Sequence, residues 1–158
     1  MIEPYVMDAR KCIAYLTIEL RGKIPEEFRE PIGWQVYGCD ICQDVCPYNR
    51  KAPVTAAKQF EPRGENNECS LLQPKLEWLV EMSEEEFRAR FKDSAMKRTK
   101  WAGLVRNACI ALGNARDKLR GEESTRIKDA LGRRAESEIS SIAESAQWAL
   151  RRIEEEAS

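Results

Sequence analysis

At 158 residues the chain has room for one or two small domains. Its net charge of −1 excludes bulk attraction to a polyanion, so any nucleic-acid contact must come from a local patch. It has no histidine, which excludes imidazole zinc chemistry and every Ser-His or Cys-His nucleophile pair. No apolar run approaches the roughly 18 residues of a membrane span. A charged share of 34% beside 42% hydrophobic residues points to helices with solvated faces.

In chain order, Asp8 can cap a helix from about Ala9 to Leu20, ended by Gly22. Cys12 falls in its first turn, where unpaired N–H groups favour a thiolate. Pro25 suits the start of a short helix to Glu30, and Pro31 is expected to stop it. Gly33 to Gly38 is a connection. Then Cys39, Cys42 and Cys46 follow at C-x2-C-x3-C, with Pro47 directly after. Cubane iron–sulfur clusters take four cysteine thiolates, and the bacterial cluster-binding run closes in C-x3-C-P. Cys12 stands where a displaced fourth ligand could come from. A zinc site and disulfides are the alternatives, but zinc sites do not favour this close, and the chain reads as cytosolic.

Residues 48–67 read as a linker, with Pro53, Pro62, Gly64, Asn66 and Asn67. Cys69 has no neighbouring partner and is expected to be a plain thiol. From Leu71 the pattern is helical. Leu72, Leu76, Leu79 and Val80 share one face, and Ser83-x-x-Glu86 is a capping box before Phe87 and Phe91. Trp101, Leu104, Val105, Ala108, Ala111 and Leu112 trace the next helix, a short one follows around Thr125–Leu131, and the last carries Ile139, Ile142, Ala146, Leu150 and Ile153. Asn107–Leu112 aligns with Ser145–Leu150, a spacing near that of HEAT-like helix pairs. The expected class is therefore mainly α: a partial ferredoxin-type 4Fe-4S module over 1–50, a linker over 51–70, and a HEAT-like helical repeat domain over 71–158. Lys97, Arg98, Lys100 and Arg106 form a run of cations with no acid among them. Arg106 lies off the apolar stripe and is expected to reach solvent, so the four are candidate RNA-phosphate contacts. Arg116, Lys118, Arg120, Arg126, Lys128, Arg133 and Arg134 make a second, diluted basic stretch.

Five stretches together resemble the epoxyqueuosine reductases, cobalamin- and iron–sulfur-dependent enzymes of tRNA queuosine synthesis. Asp8–Glu19 is similar to the segment with the displaced cysteine, and Val36–Pro47 resembles the second cluster loop. Met82–Arg88, Ser94–Arg98 and Gly103–Ala108 resemble the HEAT-like tail. Reductive dehalogenases share the cysteine pattern but not this tail. The resemblance implies reduction of the epoxide of epoxyqueuosine, at the wobble position of tRNA with a GUN anticodon, by two electrons and two protons. An external electron donor would feed the clusters and then cobalamin.

It also implies that the last cysteine of each run ligates the other cluster. Cys12, Cys39 and Cys42 would then share one cluster, and Cys46 would complete the second. Ala14, Thr17, Glu19 and Asp40 are carried over as cobalamin contacts. The family begins with a cobalamin-binding catalytic domain and a first cysteine run. Their absence here implies a C-terminal part, a truncated frame or one half of a split enzyme. No catalytic residue is expected in this chain, and it is expected to be inactive alone. The competing readings are a stand-alone ferredoxin-type electron carrier and a HEAT-like RNA- or protein-binding module.

Overall fold

The computed structural model describes residues 6–60 and 74–155. Cys69, Leu72, Glu156 and the expected linker beyond Phe60 lie outside the described residues. Among the described residues the architecture is helical with no strand element. The α-helices are α1 (Glu26–Ile32), α2 (Ile41–Asp44), α3 (Leu76–Glu81), α4 (Glu84–Arg90), α5 (Lys100–Asn114), α6 (Gly121–Ala135) and α7 (Ser140–Glu155).

α5 is the centre. Its sequence predicts one apolar stripe, yet every residue from Leu104 to Gly113 is buried. A helix covered all round belongs in the middle of a core. α7 and α3 take two of its sides. Small residues let α5 and α7 approach: Ala108, Ala111, Ala146 and Ala149 are all buried. A Cβ on Gly113 would lie 2.7 Å from Trp148 Cζ3 and 2.9 Å from Ala149 Cα. The aligned stretches Asn107–Leu112 and Ser145–Leu150 thus sit on two helices that pack together.

The remaining side of α5 is covered by the N-terminal segment, and here the expected single helix is corrected. Asp8 caps as foreseen, its carboxylate accepting Arg10 N–H at 3.1 Å. The cap, however, starts only a 3-10 turn, Ala9–Lys11, and Cys12 is extended at φ −76° and ψ 133°. Helix resumes at Ile13 and widens into a π-turn over Tyr15–Glu19, closed by Leu20 N–H on Tyr15 O at 2.9 Å. The wider turn and the chain end behind it present carbonyls to outside donors.

α5 supplies the donors. Arg106 Nη2 donates to Leu16 O at 2.7 Å, and its Nη1 to Leu20 O at 2.8 Å and Gly22 O at 2.6 Å. Its Nε and Nη2 also donate to Asn107 Oδ1, at 3.0 and 2.9 Å. All five N–H groups of the guanidinium are used. Asn107 Nδ2 donates to Thr17 O at 2.7 Å and Val36 O at 2.9 Å, and Thr99 Oγ1 donates to Thr17 O at 2.8 Å. At the far end of α5, Asn114 Nδ2 donates to Arg29 O and Gly33 O, each at 2.8 Å. Hydrogen bonds therefore join residues 16–36 directly to α5, across the expected linker.

Three other expectations shift. α1 runs through Pro31 to Ile32 and ends at Gly33, whose φ of +62° a β-carbon would resist. α6 is longer than Thr125–Leu131. Glu122 and Glu123 lie in its first turn and Arg133 and Arg134 in its last, an arrangement that favours both ends. The capping box before α4 is half formed: Ser83 Oγ accepts Glu86 N–H at 3.1 Å, but Glu86 Oε1 accepts Trp78 Nε1–H at 2.9 Å instead of reaching back.

α1 is tied to α7 by buried Arg29, whose Nε donates to Ile24 O at 2.9 Å and whose Nη2 meets Glu144 Oε1 at 2.6 Å. Lys23 pairs with the same carboxylate. Hydrogen bonds from Lys23 and Arg29 hold Glu144 below its ordinary value. A depressed folded pKa adds stability above the unfolded value, and that stability is lost as pH falls through the folded one. Glu144→Gln should therefore be less stable than wild type near neutrality, and the difference should start to shrink below pH 4.5 and be lost only as pH falls through the lower folded value. Urea midpoints of the two proteins across that range check it.

Arg106→Lys leaves at most three donors for five bonds. Bonds from a charged donor are worth about 1.5–3 kcal/mol each, so the variant should lose about 3 kcal/mol. A wild-type urea midpoint would contradict the clasp.

Candidate functional site: the cysteine loop and the basic groove

A free cysteine side chain has little to hold it, so its direction is inherited from the backbone. Around Cys39 the backbone is unusual: Gly38 has φ +66° and Asp40 φ +51°. Both neighbours are left-handed, a region that glycine and aspartate tolerate best. The four-residue α2 then carries Cys42, and Cys46 follows, its N–H donating to Gln43 O at 3.2 Å. Asn49 staples the loop, its amide donating to Gln43 O at 2.9 Å and Gln43 Oε1 at 3.1 Å. Cys12 is not in the first turn of a helix as expected. It immediately precedes the stretch from Ile13, with its carbonyl accepting Leu16 N–H at 3.0 Å.

Cys12, Cys39, Cys42 and Cys46 are all free thiols; Cys42 is exposed and the others are half-buried. The donor set is thiol only, which is what iron–sulfur clusters use. Among the described residues no three His, Cys, Asp or Glu side chains form a group that could hold a metal ion. In paired clusters the last cysteine of a run ligates the other cluster, so the thiols on this loop and its neighbouring turn would supply part of each four-thiolate set. Cys109, by contrast, is fully buried in α5, and burial pushes its thiol up to about 12. It is a small core residue.

The four cobalamin candidates separate. Asp40 is exposed beside Cys39, and Ala14 is half-buried. Glu19 is partly exposed and pairs with Arg98 at 2.6 Å. Thr17 is corrected: its side chain is fully buried and its hydroxyl is spent inside the chain, donating to Ile13 O at 2.7 Å and accepting Gly38 N–H at 2.9 Å.

The basic candidates separate too. Arg106 is corrected from a surface cation to a buried one, 1% exposed. It does lie off the apolar stripe, but the opposite side of α5 is covered by residues 16–22. Burial, and then the charge of Arg21, pull its guanidinium down to about 10, still a cation at neutral pH. Lys97, Arg98 and Lys100 are exposed. Lys97 and Lys100 line a groove of about 370 Å³ with Arg88, Lys92, Phe87, Phe91 and Trp101. Glu84 is also in the lining and pairs with Arg88 at 2.6 Å. Arg88 and Lys92 were missed because they precede the run Lys97–Arg106; the fold-back after α4 brings Lys92 O to Lys97 Nζ at 3.0 Å. Lys100 holds φ +63° and ψ 160°, a region nearly reserved for glycine, so the backbone is strained at the groove.

The second basic stretch is largely internal struts. Arg134 donates to Val80 O and Met82 O, Arg126 and Arg133 pair with Glu77 and Glu81, and Lys118 lies 3.7 Å over the Trp34 ring. No helix among the described residues is long and apolar enough to cross a membrane.

Residues 1–49 match the family model of a 4Fe-4S double cluster binding domain. The chain is 44% identical over 152 residues to an epoxyqueuosine reductase of Shewanella oneidensis, covering 95% of this chain and 36% of that protein. The Escherichia coli enzyme of the same name is 46% identical over 115 residues, covering 73% of this chain and 29% of that protein. Among solved structures, an epoxyqueuosine reductase crystallised with an epoxyqueuosine-modified tRNA-Tyr stem loop matches with a TM-score of 0.79 and 29% identity. That match covers 96% of this chain and 37% of the other. The Bacillus subtilis epoxyqueuosine reductase matches with a TM-score of 0.77 at 29% identity, covering 96% and 38%. In sequence and in fold the chain is thus similar to one part of the epoxyqueuosine reductases, spanning about a third of their length.

Proposed function

We propose that the chain is the C-terminal, electron-relaying part of an epoxyqueuosine reductase. The observation that carries this reading is a coincidence of extents. The double-cluster match covers the segment with all four cysteines, while the fold match covers 96% of the chain, helical tail included. A ferredoxin-type carrier would need only the first of these.

In this reading Cys12, Cys39 and Cys42 hold one 4Fe-4S cluster and Cys46 contributes to a second. The clusters supply single-electron carriage from an external donor towards cobalamin, so that the substrate epoxide can take up two electrons and two protons. Residues outside this chain hold most of the cobalamin, with Ala14, Glu19 and Asp40 on the side facing it. The HEAT-like tail holds the tRNA. The groove of Arg88, Lys92, Lys97 and Lys100 contacts phosphate, with Trp101 in its lining offering a flat apolar surface. Arg98 adds charge at the rim, reduced by its pairing with Glu19. The protein works in the cytoplasm, where its thiols stay reduced.

Anaerobic reconstitution with iron, sulfide and a small thiol standing in for the ligand from outside this chain should give a brown protein absorbing broadly around 400 nm, as thiolate-bound clusters do. Cys42→Ser should lose iron while Cys109→Ala keeps the wild-type content. Iron loss in the Cys109 variant equal to that of Cys42→Ser would refute the ligand assignment.

For RNA, each phosphate neutralised releases counterion, so affinity falls with salt in proportion to the contacts made. Replacing Lys97, Arg98 and Lys100 together by glutamine should weaken tRNA binding about tenfold or more and flatten the salt slope by up to about three units. An unchanged slope in a variant with normal circular dichroism would reduce the groove to a solvated surface.

A further inference from the structure

Thr17 joins the two halves of the site through its two ends. Its backbone carbonyl is gripped by Asn107 Nδ2 of α5 at 2.7 Å and by Thr99 Oγ1, at the N-cap of α5, at 2.8 Å. Its side chain points the other way, where the hydroxyl donates to Ile13 O and accepts the N–H of Gly38 at 2.9 Å. Both Thr17 and Gly38 are buried, so water does not compete for that bond. Gly38 directly precedes Cys39, and Ile13 directly follows Cys12. One hydroxyl therefore bridges the neighbours of two cysteines that are 27 positions apart. The Ile18 side chain lies 3.6 Å from where a Gly38 Cβ would be, which closes the space beside the turn.

We infer that Thr17 is a positioning residue for the iron–sulfur ligands: its hydroxyl sets the Cys12 and Cys39 backbones relative to one another, and α5 sets Thr17. This rests on the electron-relay reading above. It replaces the expected cobalamin contact at Thr17 with a role one step behind the thiolates. Such outer partners fix ligand orientation, and their loss costs about 10–100-fold in metal affinity.

The test uses the full chain, reconstituted anaerobically with iron, sulfide and the same small thiol, as wild type, Thr17→Val and Thr17→Ser. Valine keeps the shape and removes the hydroxyl; serine keeps the hydroxyl and removes the methyl. Thr17→Val should release iron to a chelator about tenfold or more faster than wild type. The electron paramagnetic resonance signal of its reduced cluster should shift. Thr17→Ser should match wild type in both. A valine variant with wild-type release and spectrum overturns the inference, and so does a serine variant as impaired as valine, which would make the methyl packing decisive.

Should Thr17→Val not fold, Thr99→Val removes one of the two bonds that hold the Thr17 carbonyl and leaves the Thr17 hydroxyl in place. Faster release there supports the inference, and wild-type release and spectrum overturn it. A wild-type chain that takes up no iron refutes the electron-relay reading itself, and this inference falls with it. Failure confined to the variants refutes the inference alone.

Discussion

Arg106 is a buried cation whose hydrogen bonds go to backbone carbonyls and an amide oxygen. Its five N–H groups end on Leu16 O, Leu20 O, Gly22 O and Asn107 Oδ1. Removing a guanidinium from water costs several kcal/mol, and what offsets it here is the end of a helical segment. Carbonyls at a C-terminus carry the negative end of the helix dipole and lack partners of their own. The π-turn adds to their number by shifting the closing bond back to Tyr15. The two anomalies, a buried charge and a wide turn, satisfy each other. The position of residues 15–22 on α5 depends on that match, and through Thr17 so does the cysteine loop.

The same economy runs through the rest of the chain. The sequence carries 26 basic and 27 acidic side chains, which as a string looks like solvated surface. In the fold, arginines act as struts between elements distant in sequence. Arg29 and Arg152 flank the Trp148 ring at 5.9 and 5.4 Å, and Arg134 lies 5.4 Å from Trp101 while donating to α3 and to Met82 after it. Planar guanidinium groups can stack on an aromatic face and hydrogen-bond at the edge together, which an ammonium cannot do as well. The cations left on the surface therefore say more about function than their total number does. Those around Lys97 stand apart because they line one groove instead of bracing two helices.

This also explains what could be read from the string of residues and what could not. Helical periodicity from Leu76 onward, the Asp8 and Ser83 caps, and the cysteine spacing are local signals, and each appears where the residues place it. Arg106 was misjudged because its local pattern is sound: it does lie off the apolar stripe of α5. What covers it comes from 84 to 90 positions earlier in the chain, and no window of a helix's length contains that information. The π-turn is invisible for the same reason, since the donors that stabilise its carbonyls belong to α5. Thr17 was noticed, but as part of a matching segment, and its hydroxyl could as well have faced outward until Gly38 was placed beside it.

A site made only of thiols is a special case of this problem. The four side chains offer no salt bridge and only weak hydrogen bonds to hold one another, and as thiolates they repel. Their arrangement has to be imposed from outside by groups that are not ligands. In this chain those groups are backbone turns of positive φ at Gly38 and Asp40, the Asn49 staple on Gln43, and the Thr17 hydroxyl between Ile13 and Gly38. Each acts on main chain, so each survives any change in what the thiols themselves bind. Functional constellations hold their geometry when the supporting shell is rigid, and here that shell is α5. The central helix of the tail braces the backbone beside the cysteines through Asn107, with Thr99 at its N-cap adding a second bond to the same carbonyl.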